Sequence, residues 1–194
     1  MRSIECIRRK WEYDEPWTCS ASSLRVLVSG SGSGCLNESF EIWRLNQQIF
    51  FYEAALCLAR STNDSKWTEI GAESVKTMTQ LVECSEWNFR NKVHLLDAEL
   101  HYLESRNSLA EISFKAAIVS AHEHRFYHEE ALACELYGVF LIETNNLATG
   151  IEQLQLAIDK YVQWGAEKKA DDVKDFIVLS RASAFQLRNN ASET

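Results

Sequence analysis

Helix-breaking residues are scarce in this sequence. It has one proline, Pro16, and seven glycines in 194 residues, three of them crowded into Gly30–Gly34. That scarcity excludes a sheet-rich fold with many tight turns and suits long helices. The six cysteines, Cys6, Cys19, Cys35, Cys57, Cys84 and Cys134, include no C-x-x-C pair, so a zinc knuckle and a thioredoxin-like motif are both excluded. Met1 to Cys6 lacks the apolar core of a signal peptide. The cysteines are therefore expected as reduced, mostly buried thiols. No apolar run reaches the ~18–20 residues that cross a bilayer, and a cytoplasmic chain is expected. Positive charge is also short, with 20 Lys and Arg against 28 Asp and Glu and a net charge of -8. That field repels phosphate, which argues against nucleic acid or an anionic membrane as a partner.

What the sequence does have is an ordinary globular composition, 46% hydrophobic and 25% charged. A chain this long buries ~70% of the surface of its unfolded form and needs no disulfide or metal to hold a core. Residues 1–35 differ from the rest. They carry the basic cluster Arg8-Arg9-Lys10, Pro16, a short strand-like run Leu24–Val28 and the Ser/Gly stretch Ser29–Gly34. They read as a poorly ordered leader and linker, followed by a helical domain over 36–188 and a frayed tail over 189–194.

The pattern from Asn37 onward is helical. A first helix is expected from Ser39 to Arg60, and Asp64 is placed to cap a second over Ser65–Cys84. A third begins near Trp87 and ends near Ser105. The fourth starts at Ser108, where Ser108 and Glu111 spell a capping box, and points Leu109, Ile112, Ala116 or Ala117, and Val119 or Ala121 inward. The fifth, Phe126–Thr144, is apolar nearly all round and must be covered on several sides. The sixth, Leu147–Trp164, carries an apolar stripe from Leu147 through Leu154 to Tyr161, and Gly165 stops it. The last runs from Glu167 to Gln186.

A shift of forty residues superposes the pattern on itself. It aligns Ala98 with Gly138, Ala110 with Gly150, Phe114 with Leu154 and Ala117 with Ala157. Each unit reads small residue, twelve on a small residue, four on a large apolar one, three on an alanine. A third, weaker unit uses Ala55, Gly71, Val75 and Met78. Small residues let two helices of a hairpin approach closely while the large one fills the groove beside them. The spacing predicts an all-α fold of tetratricopeptide-like antiparallel hairpins stacked as a short right-handed solenoid, with an irregular bundle as the alternative.

Three stretches carry a family resemblance. They are Cys84–Phe89 with Leu95–Leu100, then Phe126–Leu136, which contains His128-Glu129-Glu130, and finally Tyr161–Ala166, which contains Trp164-Gly165. Together they resemble the C-terminal part of the tetratricopeptide-like helical region in large multidomain signalling proteins. Those proteins join a serine/threonine-kinase-like domain and an AAA-type ATPase domain to this helical region, often with GAF and histidine-kinase domains. Ser85 stands where the family has proline, and Trp87 looks inserted. The resemblance implies a regulatory arm without catalytic residues or cofactor. Its partner would be a protein or peptide, a kinase or ATPase domain included.

Gly30–Gly34 lacks the third glycine of a dinucleotide loop and the Gly-Lys-Ser/Thr of a phosphate loop. His122, His124 and His128 sit beside Glu129 and Glu130, and the i, i+4 pair His124/His128 suits zinc if both lie on one helix. This cluster supports an alternative reading as a small metal-dependent enzyme. Turn and cap roles explain the same residues. His94 and His101 are expected as packing or surface histidines, and Asp171, Asp172 and Asp175 as a solvated face paired with Lys168 and Lys174. Trp43, Trp67, Trp87 and Trp164 are expected in core or groove. No nucleophile, base and oxyanion donor stand in a recognisable order, so no catalytic, cofactor or metal residue is expected. A truncated fragment without a role of its own is the remaining alternative.

Overall fold

A computed structural model describes residues 56, 58–60, 62 and 64–192. The chain divides into residues 1–51 and 52–194, and every described residue belongs to the second unit. The leader, the Ser/Gly stretch, Cys6, Cys19, Cys35, Trp43, Ala55, Cys57 and most of the first expected helix lie outside the described residues. Of that helix, positions 56, 58–60 and 62 are helical.

Six α-helices follow among the described residues: α1 Ser65–Cys84, α2 Glu86–Leu103, α3 Asn107–Glu123, α4 Tyr127–Glu143, α5 Leu147–Trp164 and α6 Glu167–Ser192. No strand occurs among them. Asp64 caps α1, its carboxylate accepting the Lys66 backbone N–H at 3.0 Å. The last helix continues beyond Gln186 to Ser192, so helix replaces the expected fray at 189–192.

Packing is by antiparallel hairpins. Helix α2 lies along α3 and α4 along α5, while α2 also touches α4 directly. Helix α1 is the second member of a preceding hairpin, its Gly71 covered by Leu56. Helix α6 packs on α5 in the position of a first member, and no described helix follows it. The structure is thus a solenoid-like stack in two layers, α2–α4–α6 and α1–α3–α5.

Four of the turns are copies of one another, twenty residues apart. Ser105, Arg125, Asn145 and Gly165 take φ of 60°, 58°, 68° and 88°. One residue further on, the N–H of Arg106, Phe126, Asn146 and Ala166 donates back to the carbonyl of His101, Ala121, Leu141 and Tyr161, at 2.7–3.0 Å. This closes each helix with a left-handed residue and satisfies carbonyls that would otherwise lack partners. Each new helix starts at once, Ala110, Glu130, Gly150 and Ala170 donating to the carbonyl four residues back. The early start displaces the expected capping box. Ser108 falls inside α3, Arg106 occupies the cap without a side-chain bond, and Glu111 instead accepts from Lys115 at 2.6 Å and Tyr137 at 3.2 Å.

The repeat residues form the hairpin seams. Ala98, Ala110, Phe114, Ala117, Leu154 and Ala157 are buried in the core, and Gly138 and Gly150 are buried too. At the α4–α5 crossing the backbones nearly touch. A Cβ added at Gly138 would lie 2.9 Å from the Gly150 carbonyl oxygen and 2.8 Å from Leu154 Cγ. A Cβ at Gly150 would lie 2.8 Å from the Gly138 carbonyl oxygen. Phe114 anchors the next layer, stacked on Tyr137 with centroids 5.6 Å apart and tilted against Phe140 at 5.4 Å. Helix α4 is buried on several sides, as its all-round apolar sequence requires. On α3, two inward assignments are overturned. Ile112 is 63% exposed and Leu109 is also exposed, because Ala110, Phe114, Ala117 and Ala121 occupy the buried arc.

These seams set opposite expectations for two substitutions. Gly138→Ala should destabilise by ~1–3 kcal/mol through overpacking against backbone, lowering Tm by ~2–4 °C per kcal/mol. Arg125→Gly should raise Tm, because it relieves a left-handed conformation that costs a side-chain-bearing residue ~1–2 kcal/mol. Thermal melts of the full chain check both.

Candidate protein-interaction surface

The turn between α3 and α4 carries the histidine cluster, and its three rings diverge. His122 Nδ1 lies 3.0 Å from Glu130 Oε1. His124 lies tilted against Trp87, centroids 4.0 Å apart, and leans on Phe126. His128 stacks on Trp164 at 5.1 Å and sets Nε2 3.4 Å from Glu129 Oε1. Arg125 at positive φ ends one helix before His128 enters the next, so the i, i+4 pair never shares a helix. Among the described residues no three His, Cys, Asp or Glu side chains come together to hold a metal ion. Glu129 and Glu130 stand in the first turn of α4, where carboxylates favour the positive end of the helix dipole. Trp87 and Trp164 are 57% and 55% exposed. They line the edge formed by the turns rather than the core. Gly165 follows Trp164 as a left-handed cap. Cys84 is an exposed free thiol, contrary to expectation. Cys134 is buried, its thiol pushed up to about 12 by burial and then by the Glu130 charge.

Sequence reading missed a second feature, a series of polar cross-links between helices, most of them buried or partly buried. Lys92 on α2, 4% exposed, lies 2.6 Å from Glu129 on α4, which also accepts from Asn91. Arg60 meets the buried Glu99 at 2.5 Å. Lys169 on α6 meets Glu135 on α4 at 2.5 Å, and the Tyr161 hydroxyl donates to the same carboxylate at 2.7 Å. Tyr102 donates to Glu143 at 2.6 Å. Glu130 is the exception within the repeat. It stands where the other helix starts have Ala110, Gly150 and Ala170, and Lys160 reaches it at 2.9 Å. Burial pushes the Glu129 carboxyl up, but hydrogen bonds from His128, Lys92 and Asn91, with the Lys92 charge, outweigh it and hold it below the usual range. At Glu99 burial wins over Arg60, and the carboxyl is raised.

The surface that differs most from its repeat neighbours is on α6. One side of this helix, Ala170, Val173 and Ile177, packs into the core beside Leu154, Ile158 and Tyr161. The other side exposes Val178, Leu179 and Phe185, with Val178 and Phe185 each 65% exposed. Forty residues earlier, Gly138 occupies the position of Val178 and Ile142 that of Ala182, and there they grip α5. Helix α6 therefore presents the face that its counterpart uses to hold a mate, and no described residue covers it. Asp171 and Asp175 continue the same stripe toward the N-terminus of the helix. Asp171 pairs with Lys174 at 2.8 Å and Asp172 with Lys168 at 3.8 Å; Asp175 has no ion pair among the described residues.

No family model matches the chain, and no curated protein or solved structure matches it either. The likeness to signalling proteins rests on the residues quoted above. None of the described helices is long and apolar enough to cross a membrane.

Two measurements probe these electrostatics. Lys92→Met should destabilise by ~3–5 kcal/mol, because it leaves a carboxylate buried without its cation. Lys92→Met with Glu129→Leu should recover much of that, and a double-mutant cycle from denaturant titrations reads the coupling. The second concerns pH. Burial lowers the pKa of His94 and of His101 below 6.5. The folded state thus binds fewer protons, and their contribution is present above pH 6.5 and lost as pH falls below it. Tm should drop between pH 7 and 5.5, and less steeply in His94→Gln/His101→Gln.

Proposed function

We propose that the chain is a non-catalytic helical-repeat module that holds a segment of another protein, acting as a regulatory arm in a cytoplasmic signal-transduction protein. The observation that carries this reading is the bare mate-binding face of α6. A hairpin stack buries each helix against its neighbours, so an exposed face of Val178, Leu179 and Phe185 on a terminal helix suits a partner supplied from outside. The family resemblance over Cys84–Ala166 supports the signalling context, with a kinase or ATPase domain among the candidate partners. The net charge of -8 favours partners with basic segments, mainly through association rate.

Site-specific photo-crosslinking tests this. With p-benzoyl-phenylalanine at position 179 of the full chain in cells, an adduct of defined mass is expected. The same group at position 152, on the polar outer face of α5, should give none, and Phe185→Glu should abolish the adduct at 179. Equal labelling from both positions, or none from 179, counts against an interaction module.

A further inference from the structure

We infer that the outer face of α6 takes a basic amphipathic helix, with lysine or arginine over Asp171 and Asp175 and apolar residues over Val178, Ala182 and Phe185. This rests on the interaction-module reading and names the partner's chemistry. Asp171, Asp175, Val178, Ala182 and Phe185 are spaced four, three, four and three apart, the heptad seam that a second helix meets side chain to side chain. All five are exposed. The position of Val178 decides what kind of helix fits. At its counterpart Gly138 a single added Cβ already lies 2.9 Å from the Gly150 carbonyl oxygen, so that crossing tolerates no side chain. The branched side chain of Val178 holds an incoming helix off to the ordinary ~8–10 Å axis separation. The occupant is therefore a coiled-coil-like mate rather than another nested repeat helix.

Charge then selects the mate. Two carboxylates lead the stripe, and Asp175 has no ion pair among the described residues. Opposite-charge pairing at these two positions and apolar contact at the next three fixes the register. A second copy of this chain fits less well. Two molecules of net charge -8 repel each other at long range. A parallel pairing of α6 would set Asp175 against Asp175.

The test uses the full chain and two synthetic amphipathic helices of about seven turns. One has leucine at three central seam positions and lysine at the two seam positions on either side; the other has glutamate in place of lysine. Fluorescence anisotropy should show micromolar binding of the lysine helix and at least tenfold weaker binding of the glutamate helix. Phe185→Glu should weaken the lysine helix tenfold or more. Asp171→Asn/Asp175→Asn should remove most of the salt dependence. Each change lies on an exposed face, so an unchanged melting curve verifies the fold. Equal binding of both helices, or indifference to Phe185→Glu, overturns the inference. So does reversible self-association by sedimentation that Phe185→Glu abolishes, which assigns the face to a second copy. A crosslinked adduct at position 179 combined with equal binding of both helices removes only the partner chemistry. Absence of the adduct removes the reading beneath it.

Discussion

The near-contact of two backbones at Gly138 and Gly150 constrains the rest of this fold. When an added methyl would lie within 3 Å of a carbonyl oxygen on each side, the two helices are held closer than side chains normally allow. The large groups are then displaced to the flanks of the crossing, where Leu154 is fully buried. The same division recurs at Ala98 and Ala110, with Phe114 as the filler and Ala117 completing the seam. Turn geometry cooperates with it. Because α2, α3, α4 and α5 each end on a left-handed residue and the next helix begins immediately, these four helices keep nearly the same length, 17 or 18 residues, and return in register every twenty residues. Small residues thus land opposite small residues without any further device.

Close crossings within hairpins leave the contacts between hairpins to other interactions, and here much of that role falls to charge. Lys92–Glu129 and Lys169–Glu135 join α2 and α6 to α4, and Arg60–Glu99 joins the helical turn before α1 to α2. A buried ion pair is weak evidence for net stability, since desolvation offsets the attraction. Its stronger effect is on register. Slipping one hairpin along the next would strand a carboxylate and an ammonium in the core, whereas apolar contacts would tolerate the slip. Tyr102 and Tyr161 add hydroxyl donors to Glu143 and Glu135. They are directional in a way that leucine is not.

Much of this was legible in sequence, for identifiable reasons. Asp64, Gly165 and the stripe Leu147–Tyr161 are local signals, and α1 and α5 fall where those signals place them. The spacing of small residues over forty positions is a longer signal that repetition makes visible. Three turns were not announced by glycine, because Ser105, Arg125 and Asn145 adopt its conformation instead. That hid the early start of α3 and produced the mistaken capping box and the misplaced inward face at Leu109 and Ile112. The cross-links were missed because their partners lie far apart in sequence. The Arg60–Glu99 bond spans 39 residues, Tyr102–Glu143 spans 41 and Lys169–Glu135 spans 34. Those separations cluster near the repeat length, so opposite charges about forty residues apart were the signal to seek.

Apolar side chains are exposed at several places on the described helices, and geometry separates the stripe on α6 from the pair on α3. On α3, Ile112 and Val119 point outward, but the Lys115–Glu111 ion pair lies between them. Isolated apolar side chains of that kind are ordinary on a protein surface. On α6, Val178, Leu179 and Ala182 occupy the positions of Gly138, Val139 and Ile142, which the preceding hairpin devotes to gripping a helix, and the exposed Phe185 extends that stripe by one more turn. Valine at 178, where the earlier units have Ala98 and Gly138, removes the small residue of the close crossing while leaving the position apolar. A face that retains the hydrophobicity of a seam but has lost the small residue needed to close it is suited to a helix arriving from elsewhere.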